Sequence, residues 1–201
     1  MEEICGEKVT ANAHPPLIGP PLPKGTSPAI EAWVRRVRAS PGHGSDLWLP
    51  VQPDLRPLNA AKDLYEVYSF FSIELPPVHA VTSGKALLLH PHFQTDGASL
   101  PRCLWPWLGS PFDPEFVVAA GGVHDPCYQA EYFTRRINDL MLYWVMVANG
   151  ADLDKCRRFW LGVRAGGWYT YAHDHTTESI AMARSQVEII PCSNGHLDGQ
   201  G

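Results

Sequence analysis

Two neighbouring residues, His124 and Asp125, carry the clearest chemical promise in the chain. An imidazole moves protons near neutral pH, and an adjoining carboxylate can bind a cation or a backbone amide. Fourteen residues after Asp125 comes Asp139, at the head of the apolar stretch Leu140 to Ala148. A carboxylate there needs a partner, because an unpaired charge on an apolar helix is costly. If the chain reverses near Tyr132-Phe133 into an antiparallel helical hairpin, His124 and Asp125 come to lie opposite Leu140 and Asp139. Asp139 could then fix the tautomer of His124 and steady its imidazolium, leaving His124 as a general base. The structural alternative is that Asp125 caps a helix beginning at Pro126 while Asp139 pairs with Arg135 or Arg136. Spacing alone leaves both open.

A second polar turn, Phe93-Gln94-Thr95-Asp96-Gly97-Ala98-Ser99-Leu100-Pro101, offers Asp96 as a ligand and Ser99 as a nucleophile. No Gly-x-Ser-x-Gly elbow surrounds Ser99, and an Asx-type turn with Ser99 as a cap is the blander account. Asp125 and Asp96 are the candidate metal ligands, and an oxygen-rich pair of this kind favours calcium or magnesium. His90-x-His92 and His173-x-His175 have a spacing that could also serve a metal, although turn-like surroundings and a helix end explain them as well.

The elements that must position these groups follow from proline. Of 19 prolines, 18 lie at or before Pro126 and none falls between Cys127 and Ile190. Proline breaks helix interiors, so the first part should hold turns and short strands and the later part long helices. Aromatic and β-branched residues mark strands at Leu64 to Leu75 and Ala80 to Leu89, expected to pair. Asp113-Pro114-Glu115 starts a helix that must contend with Gly121, Gly122 and Pro126. Thr134 should cap a helix ending at Asn149-Gly150, and Asp152 should cap a third, while Glu31 to Ala39 could form a short one. The expectation is an α+β fold: a small β-hairpin or sheet region, a three-helix core and an extended Pro-rich N-terminal arm. The boundaries are an arm over residues 1–45, one domain over 46–178 and an irregular tail over 179–201.

Composition trims the functional classes. The chain has 201 residues with a net charge of −5, and its basic residues are scattered, so a nucleic-acid partner is not expected. The longest apolar run, Leu140 to Ala148, is nine residues, well short of the roughly 20 that a spanning helix needs. The acidic start Met1-Glu2-Glu3 does not suit a secretory signal, and five cysteines without a CxxC spacing read as free thiols.

Together, Phe93 to Pro101, then His124-Asp125-Pro126-Cys127-Tyr128, then Arg136-Ile137-Asn138-Asp139, resemble the phage and prophage family known as domain of unknown function 1353. The pattern is F-x-T-D-x-A-S-x-P, H-D-x-x-Y and R-x-x-A-D, spread over roughly residues 64 to 170. Asn138 in place of Ala, and Pro126 after the His-Asp pair, depart from it. His124-Asp125-x-Cys127-Tyr128 is also loosely similar to the His-Asp helix of secreted phospholipases A2. There the His activates water, its neighbour binds calcium, and an Asp on the facing helix orients the His. Those roles would fall on His124, Asp125 and Asp139, although the glycine-rich calcium loop is missing. Asp96, Ser99, Tyr128 and Arg136 are the supporting candidates.

The resemblance implies a phage-encoded protein, made in the host cytoplasm, not secreted through a signal peptide, and then carried in the virion. The leading expectation is a hydrolase acting on host envelope lipid or peptidoglycan. The rivals are a non-enzymatic tail or capsid component, whose arm over residues 1–45 binds neighbouring virion subunits, and an inhibitor of a host protein.

Overall fold

A computed structural model describes residues 19–39, 55–59, 64–95, 114–173 and 176–192. The chain is α+β, as expected. Helix α1, Pro28–Ala39, opens with proline at its first turn and with the Ser27 hydroxyl accepting from the Ile30 amide. Its buried residues Ile30, Trp33, Val34 and Val37 recur at helical spacing and enter the core. The Trp33 indole N–H donates to the Glu74 carbonyl at 3.3 Å, and Arg36 meets the Glu74 carboxylate at 2.7 Å. The short helix expected over Glu31 to Ala39 is present, and the extended arm expected over residues 1–45 is corrected at 28–39: an amphipathic face with a fully buried Trp packs inward, where an extended segment would leave it in water.

Among the described residues, six short strands form two antiparallel three-stranded sheets: β1 (Leu55–Asn59), β2 (Leu64–Val67), β3 (Phe71–Glu74), β4 (Lys85–Leu89), β5 (Gln94–Thr95) and β6 (Val187–Pro191). One sheet runs β1-β2-β5 and the other β3-β4-β6. The expected strand over 64–75 breaks at Tyr68–Phe70, and its halves join different sheets. The expected pairing holds for β3 with β4, where Phe71 faces Leu89 and Glu74 faces Ala86. β2 pairs with β5, Tyr65 opposite Thr95, which fixes the end of β5 beside the helical layer.

The helices supply the other layer. One helical run comprises α2 (Pro114–Ala119), a π-helical turn (Ala120–His124) and α3 (Asp125–Gln129). It is followed by α4 (Arg135–Ala148), α5 (Leu153–His173) and α6 (Thr177–Gln186). Asp152 caps α5 as expected, its carboxylate accepting from the Asp154 and Lys155 amides at 3.0 Å. Thr134 occupies the cap position of α4 without a side-chain cap bond. Met141, Leu142, Val145 and Met146 of α4 are fully buried against the other elements.

The irregular tail expected from residue 179 is also corrected. Thr176 and Ser179 form a reciprocal capping box that starts α6. β6 then completes the second sheet, with Val187 opposite Leu89 and Pro191 opposite Lys85. This strand owes its shape to a long-range partner, a signal that no local pattern carries. Among the described residues, no helix is long and apolar enough to cross a membrane.

Candidate functional site

The site is centred on the π-helical turn. Proline has no N–H and its ring clashes with the carbonyl four residues back, so Pro126 disfavours a regular α-helical ladder through Gly122. The backbone widens there instead: the Asp125 amide bonds to the Ala120 carbonyl, five residues back. Asp125 has helical dihedrals, so it continues the run and does not cap a new helix at Pro126. The two glycines let this turn press against both sheets. A Cβ on Gly121 would lie 3.2 Å from the Thr95 hydroxyl, and one on Gly122 would lie 3.0 Å from the Phe71 ring.

The helical hairpin delivers the expected contact. His124 Nε2 lies 2.9 Å from Asp139 Oδ1. The other ring nitrogen, Nδ1, is 3.5 Å from Asp125 Oδ1, too long for a strong hydrogen bond. Asp125 is held from its far side by the Thr95 hydroxyl, which donates to Oδ2 at 2.5 Å. Tyr128 stacks on the imidazole with ring centroids 4.9 Å apart. Asp139 is fully buried, and His124 retains 8% of its surface.

Asp139 is also gripped from a third helix. Arg164 of α5 donates from one terminal nitrogen to Asp139 Oδ2 at 2.9 Å. Arg135, one turn before Asp139 on α4, stands 3.8 Å from the same oxygen and donates to the Val163 and Arg164 carbonyls. The pairing with Arg135 and the pairing with His124 are thus both present. Arg136, the expected supporting residue, is exposed on the outer side of α4, because consecutive helix positions point about 100° apart.

The electrostatics follow from this geometry. Burial opposes the charged imidazole, but hydrogen bonds and charge attraction from Asp125 and Asp139 outweigh it and push His124 up to about 9. Burial would raise Asp139, yet its bonds to His124 and Arg164, with the charge of Arg135, hold it below the usual carboxylate range. Burial pushes the Cys127 thiol far up, so it remains protonated and acts as packing.

Asp96 and Ser99 lie outside the described residues, as does His175, and the His173 side chain is likewise not described. The carboxylate pair expected to hold calcium or magnesium is therefore represented only by Asp125, already engaged by Thr95. Among the described residues, no three His, Cys, Asp or Glu side chains gather to hold a cation. The expected pair His90 and His92 does not act together: His90 bonds to Glu188 at 2.6 Å and His92 bonds to Glu66. Thr95 and Arg164 were not expected as site residues, although Thr95 belongs to the F-x-T-D pattern.

Residues 73–163 match the model of a family described as protein of unknown function (DUF1353). That segment belongs to the DUF1353 family. It runs from β3 into α5 and contains Thr95, His124, Asp125, Arg135 and Asp139, while Arg164 lies one residue past its end. No curated protein and no solved structure matches the chain. Nothing in these comparisons supports the looser likeness to phospholipases A2.

Proposed function

We propose that this DUF1353 protein is a hydrolase in which His124 activates water and Asp139 orients it. The observation that supports this most is the unequal treatment of the two imidazole nitrogens. Nε2 is bound at 2.9 Å to a carboxylate whose other oxygen is fixed by Arg164, whereas Nδ1 has only a 3.5 Å contact. This is the division of labour of a His-Asp pair: one nitrogen is anchored and the other handles the proton. Nδ1 takes a proton from water as the water oxygen attacks the carbonyl carbon of an ester or amide. The carbon–heteroatom bond then breaks, and the same proton passes from Nδ1 to the leaving oxygen or nitrogen, which restores the neutral imidazole.

A phage or prophage source and a host-envelope substrate, lipid or peptidoglycan, belong to this reading through the family resemblance. A second reading, that the cluster only ties the helices together in a virion component, is favoured by the slight exposure of His124. Incubating host envelope preparations with the wild-type protein and with His124→Ala separates the two. Hydrolysis requires fatty acid or peptide to be released by the wild type and not by the variant. Equal release, or none from either protein, favours the virion component.

A further inference from the structure

The more exposed of the two guanidiniums in the site has donors to spare. Arg135 commits a terminal nitrogen to the carbonyls of Val163 and Arg164, and its side chain is 19% exposed. Arg164 gives one N–H to Asp139, and its guanidinium makes no other hydrogen bond or ion pair to a described residue. Its side chain is 37% exposed, whereas the carboxylate that it holds is fully buried. The guanidinium is therefore held at one corner, two hydrogen bonds from His124 Nε2, on a side chain that stays partly open to solvent. Asp139 also faces two guanidiniums, one more positive charge than its own carboxylate neutralises. A planar fork whose other N–H groups bond to no described residue, with surplus charge beside it, suits a carboxylate or a phosphate, which such a fork can bind through two parallel bonds.

We propose that Arg164 is an anion anchor, whose free N–H groups take a phosphate or carboxylate of the ligand and hold it beside His124. The role of that ligand as a substrate rests on the hydrolase reading above, while the binding itself does not. Two sources of such an oxyanion exist in a host envelope: the phosphate of a phospholipid headgroup and the free carboxylates of peptidoglycan peptides. Pinning the guanidinium on Asp139 has a further advantage, because less side-chain freedom is lost when the ligand arrives.

The test is titration of the full chain with inorganic phosphate and, separately, with acetate, followed by NMR of the arginine side-chain signals. It uses the wild type, Arg164→Gln, Arg164→Lys and His124→Ala. The wild type should bind phosphate in about the millimolar range, and Arg164→Gln should weaken binding by roughly tenfold or more. Arg164→Lys should fall between them, since it keeps the charge without the fork, and it serves as the folded control if Arg164→Gln is unstable. His124→Ala removes the neighbouring imidazolium and should weaken binding less than Arg164→Gln does. Loss of hydrolysis with anion binding retained would then distinguish a failed base from a failed anchor. Competition of the phosphate by phosphatidylglycerol vesicles assigns the lipid source, and competition by soluble muropeptides assigns the cell wall. The proposal is overturned if the wild type binds neither anion, if neither competitor displaces phosphate, or if Arg164→Gln binds as tightly as the wild type.

Discussion

Replacing Asp139 by Asn should change how stability depends on pH as well as its size. In the wild type, His124 is raised from an ordinary value of 6.5 to about 9. A group raised on folding contributes stability that is fully present below its unfolded value and is lost as pH rises through the folded value. The contribution of His124 should thus be complete below about pH 6.5 and gone above about pH 9. At about 1.4 kcal/mol per pH unit, the loss across that window is on the order of 3 kcal/mol. Asp139→Asn keeps the shape and removes the charge, so one of the two donors aimed at the carboxylate, His124 Nε2 or the Arg164 nitrogen, meets an amide N–H instead. Because Asp139 is fully buried, the variant should lose about 2–4 kcal/mol near pH 6. It should lose less further stability between pH 6 and pH 10, with the part that Asp125 sustains remaining. Urea unfolding followed by tryptophan fluorescence across this range reads both quantities. Parallel curves for the two proteins, with the same fall toward pH 10, would refute the coupling between Asp139 and His124.

Further outcomes follow from the same contacts. Gly122→Ala places a Cβ 3.0 Å from the packed Phe71 ring and should cost about 1–3 kcal/mol, measured by thermal melting. Trp33→Ala removes a fully buried indole that ties α1 to β3 and should cost about 3–5 kcal/mol, so an unchanged melting temperature would separate α1 from the core. Hydrolysis that needs a neutral imidazole should rise with pH toward a limb near about 9, where a rate flat from pH 6 to pH 10 would remove His124 as the base.

The hairpin numbering made the contact of His124 with Asp139 legible, because two helices joined by a short reversal must bring equidistant residues together. The same reasoning applied to the next reversal, at Asn149-Gly150, places Asp139 opposite Trp160, about one helical turn before Arg164. That partner was within reach of the sequence. Pro126 announced an irregular helix, although a π-helical turn centred on the site is only one of several ways to accommodate a proline. The division of residues 64–75 between two sheets was not legible, because Tyr68 and Phe70 look like strand residues while standing largely exposed at the break. Nor was β6, whose burial alternates only weakly and whose register is fixed by β4, about 100 residues earlier. The inward face of α1 was visible as a helical stripe, but the surrounding prolines pointed to an extended arm.

The central claim is that His124 and Asp139 act as one catalytic unit. Its most direct test is the rate of envelope hydrolysis by four proteins: the wild type, His124→Ala, Asp139→Asn and the double variant, each checked by thermal melting to be folded. Residues that act as a unit are non-additive, so each single change should lower the rate by orders of magnitude and the double variant should be scarcely slower than the slower single. Multiplying losses in the double variant, or a His124→Ala protein as fast as the wild type, would contradict it.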